Sequence, residues 1–240
     1  MVMDMDIHPV IKKRLKKKSD YMMDMHTHIL PGVDDGAKTF EEALKMLQLQ
    51  YEQGIHKVVL TPHVQNKVQR VSSKEYLDRF KMFEKDVSNI MPDMKLYLGA
   101  EVLYDPFKKT NYDAYVFKGF SKKYLLIEFS TVIEDPITDV LYDLIAKGYQ
   151  AIVAHIERYP YLTDDDVRRI KDDGSYIQVN SGAVLGTDGR HYKKRAHHYL
   201  KLGLVDFIGS DCHDTKSRKP NVFKALKKAP KNFKMRELEE

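Results

Sequence analysis

The hydrophobic positions of the chain fall in short runs at regular intervals. Apolar segments at Tyr21–His26, Lys57–Leu60, Lys95–Ala100, Tyr124–Phe129, Gln150–His155, Ser175–Asn180 and Val205–Ser210 are mostly continuous rather than alternating. That is the pattern of strands covered on both faces. Helical periodicity fills the gaps. Thr39 followed by Glu42 predicts a capping box; Ala43, Leu44, Met46, Leu47 and Tyr51 then give an apolar face, and Gly54 suits the stop. Further helices are predicted near Ser73–Asn89, Pro136–Lys147, Thr163–Asp172 and Tyr192–Leu202, with Gly148, Gly174 and Gly203 closing the last three. Seven βα-like units in unbroken succession predict one α/β domain over residues 21–240, with a parallel, closed sheet. Residues 1–20 precede the first strand signal and are expected to form a flexible basic extension.

Composition narrows this picture. A length of 240 residues suits one α/β barrel, and 42% hydrophobic residues supply its core. No apolar run approaches the ~20 residues of a membrane span, and no apolar stretch follows the basic N-terminal run as in a signal peptide. The single cysteine, Cys212, forbids an internal disulfide and fits a reducing cytoplasm. The net charge of +5 is concentrated towards the ends, at Lys12, Lys13, Arg14, Lys16, Lys17 and Lys18 and at Lys227, Lys228, Lys231 and Lys234. These read as solvated, frayed termini, with attraction to an acidic partner, a membrane surface or nucleic acid as the sharper reading. No aromatic interleaving or known module supports nucleic acid.

The chemistry collects at the strand ends. His26 and His28 close the first, His63 the second, Glu101 the third, Glu128 the fourth, His155 the fifth, and Asp211 with His213 the seventh. In barrels of this kind the C-terminal strand ends meet on one rim. Residues i and i+2 of a strand share a side, so His26 with His28, and Asp211 with His213, can each serve one cluster. Imidazole and carboxylate together suit Zn²⁺, Mn²⁺ and Fe, and buried carboxylates otherwise demand partners. Taken singly, a histidine such as His63 reads as structural, and Glu101 or Glu128 as an ion-pair partner; the joint pattern points to metal. His8, His56, His191, His197 and His198 lack strand-end placement and read as surface residues.

The run from Met25 to Gly36, MHTHILPGVDDG, closely resembles the opening of one branch of the polymerase and histidinol phosphatase (PHP) family: the bacterial protein-tyrosine phosphatases of capsule and exopolysaccharide systems. Thr61-Pro62-His63, Gly99-Ala100-Glu101, Ile127-Glu128-Phe129, the run Ala154 to Tyr159, and Ser210-Asp211-Cys212-His213 with Arg218 resemble its later motifs, from about Tyr21 to Val222. The resemblance implies a distorted (β/α)7 barrel of TIM-barrel type. It implies one ion on His26, His28, Glu101 and Asp211, a second on Glu101, Glu128 and His155, and a third on Asp35, His63 and His213. It implies two to three divalent ions, with Glu128 favouring the harder Mn²⁺ over Fe or Zn. It also implies a phosphotyrosine-bearing protein substrate, namely the tail of a bacterial tyrosine kinase in polysaccharide export.

The expected reaction is hydrolysis by a metal-bridging hydroxide, since clustered ions offset phosphoryl charge and lower the pKa of water to ~7. Arg158 and Arg218 are the candidate phosphate clamps, because a guanidinium grips two oxygens at once. Asp214 and Glu157 are candidates to orient the ligands from behind. The rivals are a small-molecule phosphatase of the same family, such as histidinol phosphatase, a nuclease, and a non-catalytic metal scaffold. A thiol mechanism is also written in the chain, since Cys212 and Arg218 form a C-x5-R string. That segment holds Asp214 and no glycine, unlike the Gly-rich loops such chemistry uses.

Overall fold

A computed structural model describes residues 22–65 and 68–240. The expected extension at residues 1–20 lies outside the described residues. Among the described residues, nine short strands build the sheet: β1 (Met23–Thr27), β2 (Lys57–Leu60), β3 (His63–Val64), β4 (Lys95–Leu98), β5 (Glu101–Leu103), β6 (Tyr124–Glu128), β7 (Gln150–Val153), β8 (Tyr176–Asn180) and β9 (Phe207–Gly209). They are the seven expected strands, with the second and third each broken in two. Breaks at Thr61-Pro62 and Gly99-Ala100 shift His63 and Glu101 onto separate short pieces, which pair with each other.

All ladder pairs are parallel, in the orders β1-β2-β4 and β3-β5-β6-β7-β8-β9. The sheet curls until its outer strands meet. Asp211 N–H donates to His26 O at 2.8 Å and His28 N–H to Cys212 O at 2.9 Å, making an isolated bridge between Thr27 and Cys212. A side chain completes the seam: Asp24 Oδ1 accepts from Ser210 N–H at 2.9 Å. The result is a distorted (β/α)7 barrel.

Helices α1 (Phe40–Glu52), α2 (Ser73–Ile90), α3 (Ile137–Ala146), α4 (Asp164–Asp172), α5 (Ser181–Leu185), α6 (Arg190–Lys201) and α7 (Val222–Leu226) cover the outside. Between β5 and β6 there is only a 3₁₀ turn at Tyr112–Ala114, and this gap in the alternation is part of the distortion. Thr39 caps α1 as expected, accepting from Glu42 N–H at 3.2 Å, but Glu42 accepts from Lys38 N–H rather than closing the box. Full capping boxes occur instead at Ser72 with Glu75 and at Thr163 with Asp166.

One apolar layer fills the space between helices and sheet, with Leu47, Val58, Leu125, Val153 and Ile208 among its fully buried members. A second cluster holds Met25, Val59, Tyr97, Leu126, Ile152 and Phe207 together with Leu238. The C-terminal segment is therefore not frayed. Lys227, Lys228, Lys231 and Lys234 are exposed as expected, but the residues after them are tied down. Arg236 N–H donates to Asp206 O, Ser121 N–H to Glu239 O, and Glu240 pairs with Lys57 and Lys95. No helix among the described residues is long and apolar enough to cross a membrane.

Leu238 is the apolar anchor of this segment, so Leu238→Ala should destabilise the protein by about 2–3 kcal/mol. Thermal unfolding should show a drop of roughly 5–10 °C in Tm; a change under ~1 °C would mean the tail does not close the barrel.

Candidate metal centre

The strand ends bring three sets of donors into one buried mouth. His26 Nε2 and His28 Nε2 stand 3.3 Å apart, and each is 3.3 Å from Glu101 Oε2. Asp211 Oδ1 completes this set at 3.6 and 3.4 Å. His155 Nε2 lies 2.8 Å from Glu101 Oε1 and 3.5 Å from Glu128 Oε1. Asp35 Oδ1 is 3.6 Å from both His63 Nε2 and His213 Nε2, and His28, Asp35, His63 and His213 form a group of mutually close donors. His63 also faces Glu101, with Nδ1 at 2.9 Å, and so joins Glu101 and Glu128 in a further group.

This arrangement fits divalent ions on two counts. The spacings of 3.3–3.6 Å in the first set match the ~3.4 Å edge of a tetrahedron with ~2.1 Å arms. In addition, Glu101 Oε2, Glu128 Oε2 and His213 Nε2 are buried without a hydrogen-bond partner among the described residues. Buried polar atoms normally have one, and a cation held between these groups supplies it.

Local backbone choices aim the ligands. The loop after β1 folds back so that Ala37 N–H donates to His28 O at 2.9 Å. A Cβ on Gly36 would lie 2.1 Å from that same oxygen, so only glycine fits. His155 (φ 32°) and Asp211 (φ 51°) are the described non-glycine residues in the left-handed region. Such strain persists where the surroundings over-determine it, commonly at functional sites.

Charges in the mouth set one another. Burial pushes Glu128 up, the neighbouring Glu101 carboxylate adds to it, and its carboxyl rises to about 8. Burial also raises Glu101 and Asp211, but adjacent imidazoles outweigh it, joined at Asp211 by Arg218 and Arg158, and hold both well below the usual carboxylate range. Burial drives His155 down to about 4 with help from Arg158, and His213 to about 2 with help from His28. For His26 and His28 burial acts downward as well, but nearby carboxylates outweigh it and raise both.

Arg158 and Arg218 sit beside this mouth, their Nη2 atoms 3.2 and 2.8 Å from Asp211 Oδ2. Arg158 is presented by the 3₁₀ turn Ile156–Arg158 that follows His155. Asp214 builds the loop that presents Arg218: its carboxylate accepts from Ser217 Oγ–H at 2.7 Å and Arg218 N–H at 3.1 Å. Glu157 is buried and accepts from Asn180 N–H at 3.0 Å; burial pushes it up to about 7.

Several polar side chains around the ligands escape sequence reasoning. Asp34, beside Asp35, turns inward and accepts from His28 Nδ1–H at 2.8 Å and His63 N–H at 3.0 Å, which leaves His28 Nε2 free to bind an ion. Gln178 Oε1 lies 3.2 Å from His26 Nδ1 and accepts from His155 N–H at 2.7 Å. Asn180 Nδ2–H donates to Asp211 Oδ2 at 2.7 Å. The available signal was two amides at i and i+2 near the end of the one strand without ligands. Of the histidines read as surface, His191 and His198 are exposed, whereas His56 packs on Tyr51 and His197 contacts Val184 O, both half-buried; His8 lies outside the described residues. Cys212 is fully buried and burial pushes its thiol well up, the reverse of what a nucleophilic thiolate needs.

Comparison with known proteins gives the family. The family described as capsular polysaccharide synthesis, CpsB/CapC, matches residues 22–240. The tyrosine-protein phosphatase CpsB of Streptococcus agalactiae is 31% identical over 223 residues, covering 88% of this chain and 91% of that protein. A chain from the crystal structures of YwqE from Bacillus subtilis and CpsB from Streptococcus pneumoniae, described as unique metal-dependent tyrosine phosphatases, superposes with a TM-score of 0.79 at 27% identity, covering 88% of this chain and 87% of that one. Histidinol phosphate phosphatase from Lactococcus lactis shares the fold alone, with a TM-score of 0.53 at 11% identity over 86% of this chain and 90% of that one.

Metal binding should release protons. Glu128 holds its proton to about pH 8, and the raised His26 and His28 hold theirs above the ordinary imidazole range. Ligands must be deprotonated to bind an ion, so Mn²⁺ affinity should rise from pH 6 to 8. Calorimetry of chelator-treated protein in buffers of different ionisation enthalpy should find about one proton or more released per chain at pH 7. Affinity that is flat with pH would contradict this account of the mouth.

Proposed function

This chain belongs to the capsular polysaccharide synthesis CpsB/CapC family, and on that premise we propose that it is a metal-dependent phosphatase that removes phosphate from tyrosine side chains of proteins. The observation that carries the reading is the set of buried ligand atoms that make no hydrogen bond among the described residues, Glu101 Oε2, Glu128 Oε2 and His213 Nε2, in one mouth with two arginines at its edge. The substrate protein is a bacterial tyrosine kinase tail acting in capsule or exopolysaccharide synthesis, and the compartment is the cytoplasm. The S. agalactiae and B. subtilis/S. pneumoniae comparisons support the tyrosine-phosphatase reading by their names, and the family supports the link to capsule synthesis by its description.

His26, His28, Glu101 and Asp211 would hold one ion, Glu101, Glu128 and His155 a second, and Asp35, His63 and His213 a third, with Mn²⁺ preferred by the carboxylate-rich set. Bound there, divalent ions neutralise charge on the phosphoryl oxygens and lower the pKa of water towards ~7.

The chain's own side chains do the rest. Arg158 and Arg218 converge on Asp211 and offer guanidinium donors to the non-bridging phosphate oxygens, which both binds the dianion and orients it. Asp34, Gln178 and Asn180 fix the ligand rings and carboxylate through hydrogen bonds, so the mouth is preorganised for charge. A tyrosyl leaving group, with a phenol pKa of ≈ 10, departs with less proton donation than an alkyl oxygen. That preference favours phosphotyrosine over phosphoserine.

Chelation should abolish turnover of an aryl phosphate, and added Mn²⁺ should restore it, with phosphotyrosyl peptides cleaved in preference to phosphoseryl ones. Undiminished turnover in excess chelator would overturn the reading. Arg158→Ala should lower kcat/KM for phosphotyrosyl peptide by about 10²-fold while metal content, measured by elemental analysis, stays constant. Unchanged kinetics would remove Arg158 from the phosphate grip.

A further inference from the structure

Helix α6 carries cations for which the fold provides no counter-ions. Arg190, Lys193 and Lys194 stand at i, i+3 and i+4, so they share one face, and all three are exposed. Together with His191 and His197 they line an open, shallow depression. Among the described residues none of these three forms an ion pair, whereas His198, farther along the same helix, pairs with Asp164 at 2.7 Å. The placement works against stability twice over. Like charges at this spacing repel, and the first turn of a helix is the positive end of its dipole, where cations are disfavoured. A strongly positive surface held at a cost to the fold points to a ligand of negative charge.

That surface begins beside the mouth. Arg195 Nη2 donates to Tyr159 O at 2.6 Å and to Tyr199 Oη at 2.8 Å, tying α6 to the turn that presents Arg158. The residues leading into α6, Thr187 and Asp188, line the same cavity as Arg158 and Arg218. The cations of α6 thus begin two residues beyond the cavity that holds Arg158 and Arg218, with the Asp188 carboxylate between them.

We propose that this face of α6 docks the acidic sequence flanking the phosphotyrosine of the protein substrate. The proposal rests on the phosphatase reading above and adds the substrate's charge to it. The chain's own basic segment, Lys12–Lys18, is excluded as the occupant because its charge has the same sign. Exposed lysines act on an extended acidic peptide by screened attraction, which raises encounter and binding rather than the chemical step. The effect accordingly belongs in KM and fades with salt.

The test is charge reversal, with Arg190→Glu, Lys193→Glu and Lys194→Glu combined in the full chain loaded with Mn²⁺. Substrates are p-nitrophenyl phosphate, a phosphotyrosyl peptide flanked by Asp and Glu, and the same peptide flanked by Ser and Gly. The acidic peptide should lose about tenfold or more in kcat/KM through KM. The other two substrates should change by less than about twofold, and the loss should shrink at high salt. The charge-conserving Arg190→Lys, Lys193→Arg, Lys194→Arg chain should behave as the parent, and matching thermal unfolding should show that all variants fold. Equal use of the acidic peptide by parent and reversed chains would overturn the proposal. So would a loss confined to binding of anionic lipid vesicles or of single-stranded DNA. If no phosphate is cleaved at all, the phosphatase reading fails by itself. Fluorescence anisotropy of the labelled acidic peptide still decides docking in that case, with about tenfold weaker binding expected for the reversed chain.

Discussion

Glu101 is the point on which the mouth turns. Its carboxylate is fully buried, and imidazole nitrogens of His26, His28, His63 and His155 approach it at 3.3, 3.3, 2.9 and 2.8 Å. A buried charge persists only when it is paired. The strands that lead to these histidines must therefore all end at one level around it, and the interruption of the strand at Gly99-Ala100 is what sets Glu101 at that level, in register with His63.

The same need for compensation explains the seam of the barrel. β1 carries His26 and leads into His28, β9 leads into Asp211 and His213, and the two strands share no regular ladder. Two backbone hydrogen bonds and the Asp24 carboxylate hold them together. Asp24 is itself buried and bound by Gln50 Nε2–H at 2.5 Å and Ser210 N–H at 2.9 Å. The left-handed conformations of His155 and Asp211 become tolerable because partners on other strands fix them: Gln178 receives the His155 amide, and Asn180 and Arg218 grip Asp211.

Function then divides by distance from Glu101. Closest in, the donors are arranged for cations. One layer out, Arg158 and Arg218 balance Asp211 at the edge of the mouth. Farther out, α6 presents exposed cations that form no ion pair among the described residues. Buried and preorganised groups suit the chemical step, whereas flexible, solvated lysines suit recognition. The fold places each kind where its surroundings allow it.

Much of this was legible in the chain. Continuous apolar runs with helical stretches between them announced a parallel barrel, because a strand covered on both faces has no polar alternation to show. Imidazoles and carboxylates at strand ends announced a shared mouth of candidate metal donors, because such groups have few other reasons to be buried there. Other features were decided only by the tertiary structure. The split of two strands, the inward turn of Asp34 beside Asp35, the support from Gln178 and Asn180, and the anchoring of Leu238 beneath the barrel each depend on contacts between residues distant in sequence. Local propensity is silent about such contacts: an amide or a leucine has the same preferences on a surface as at a seam, and only the assembled neighbours say which it has met.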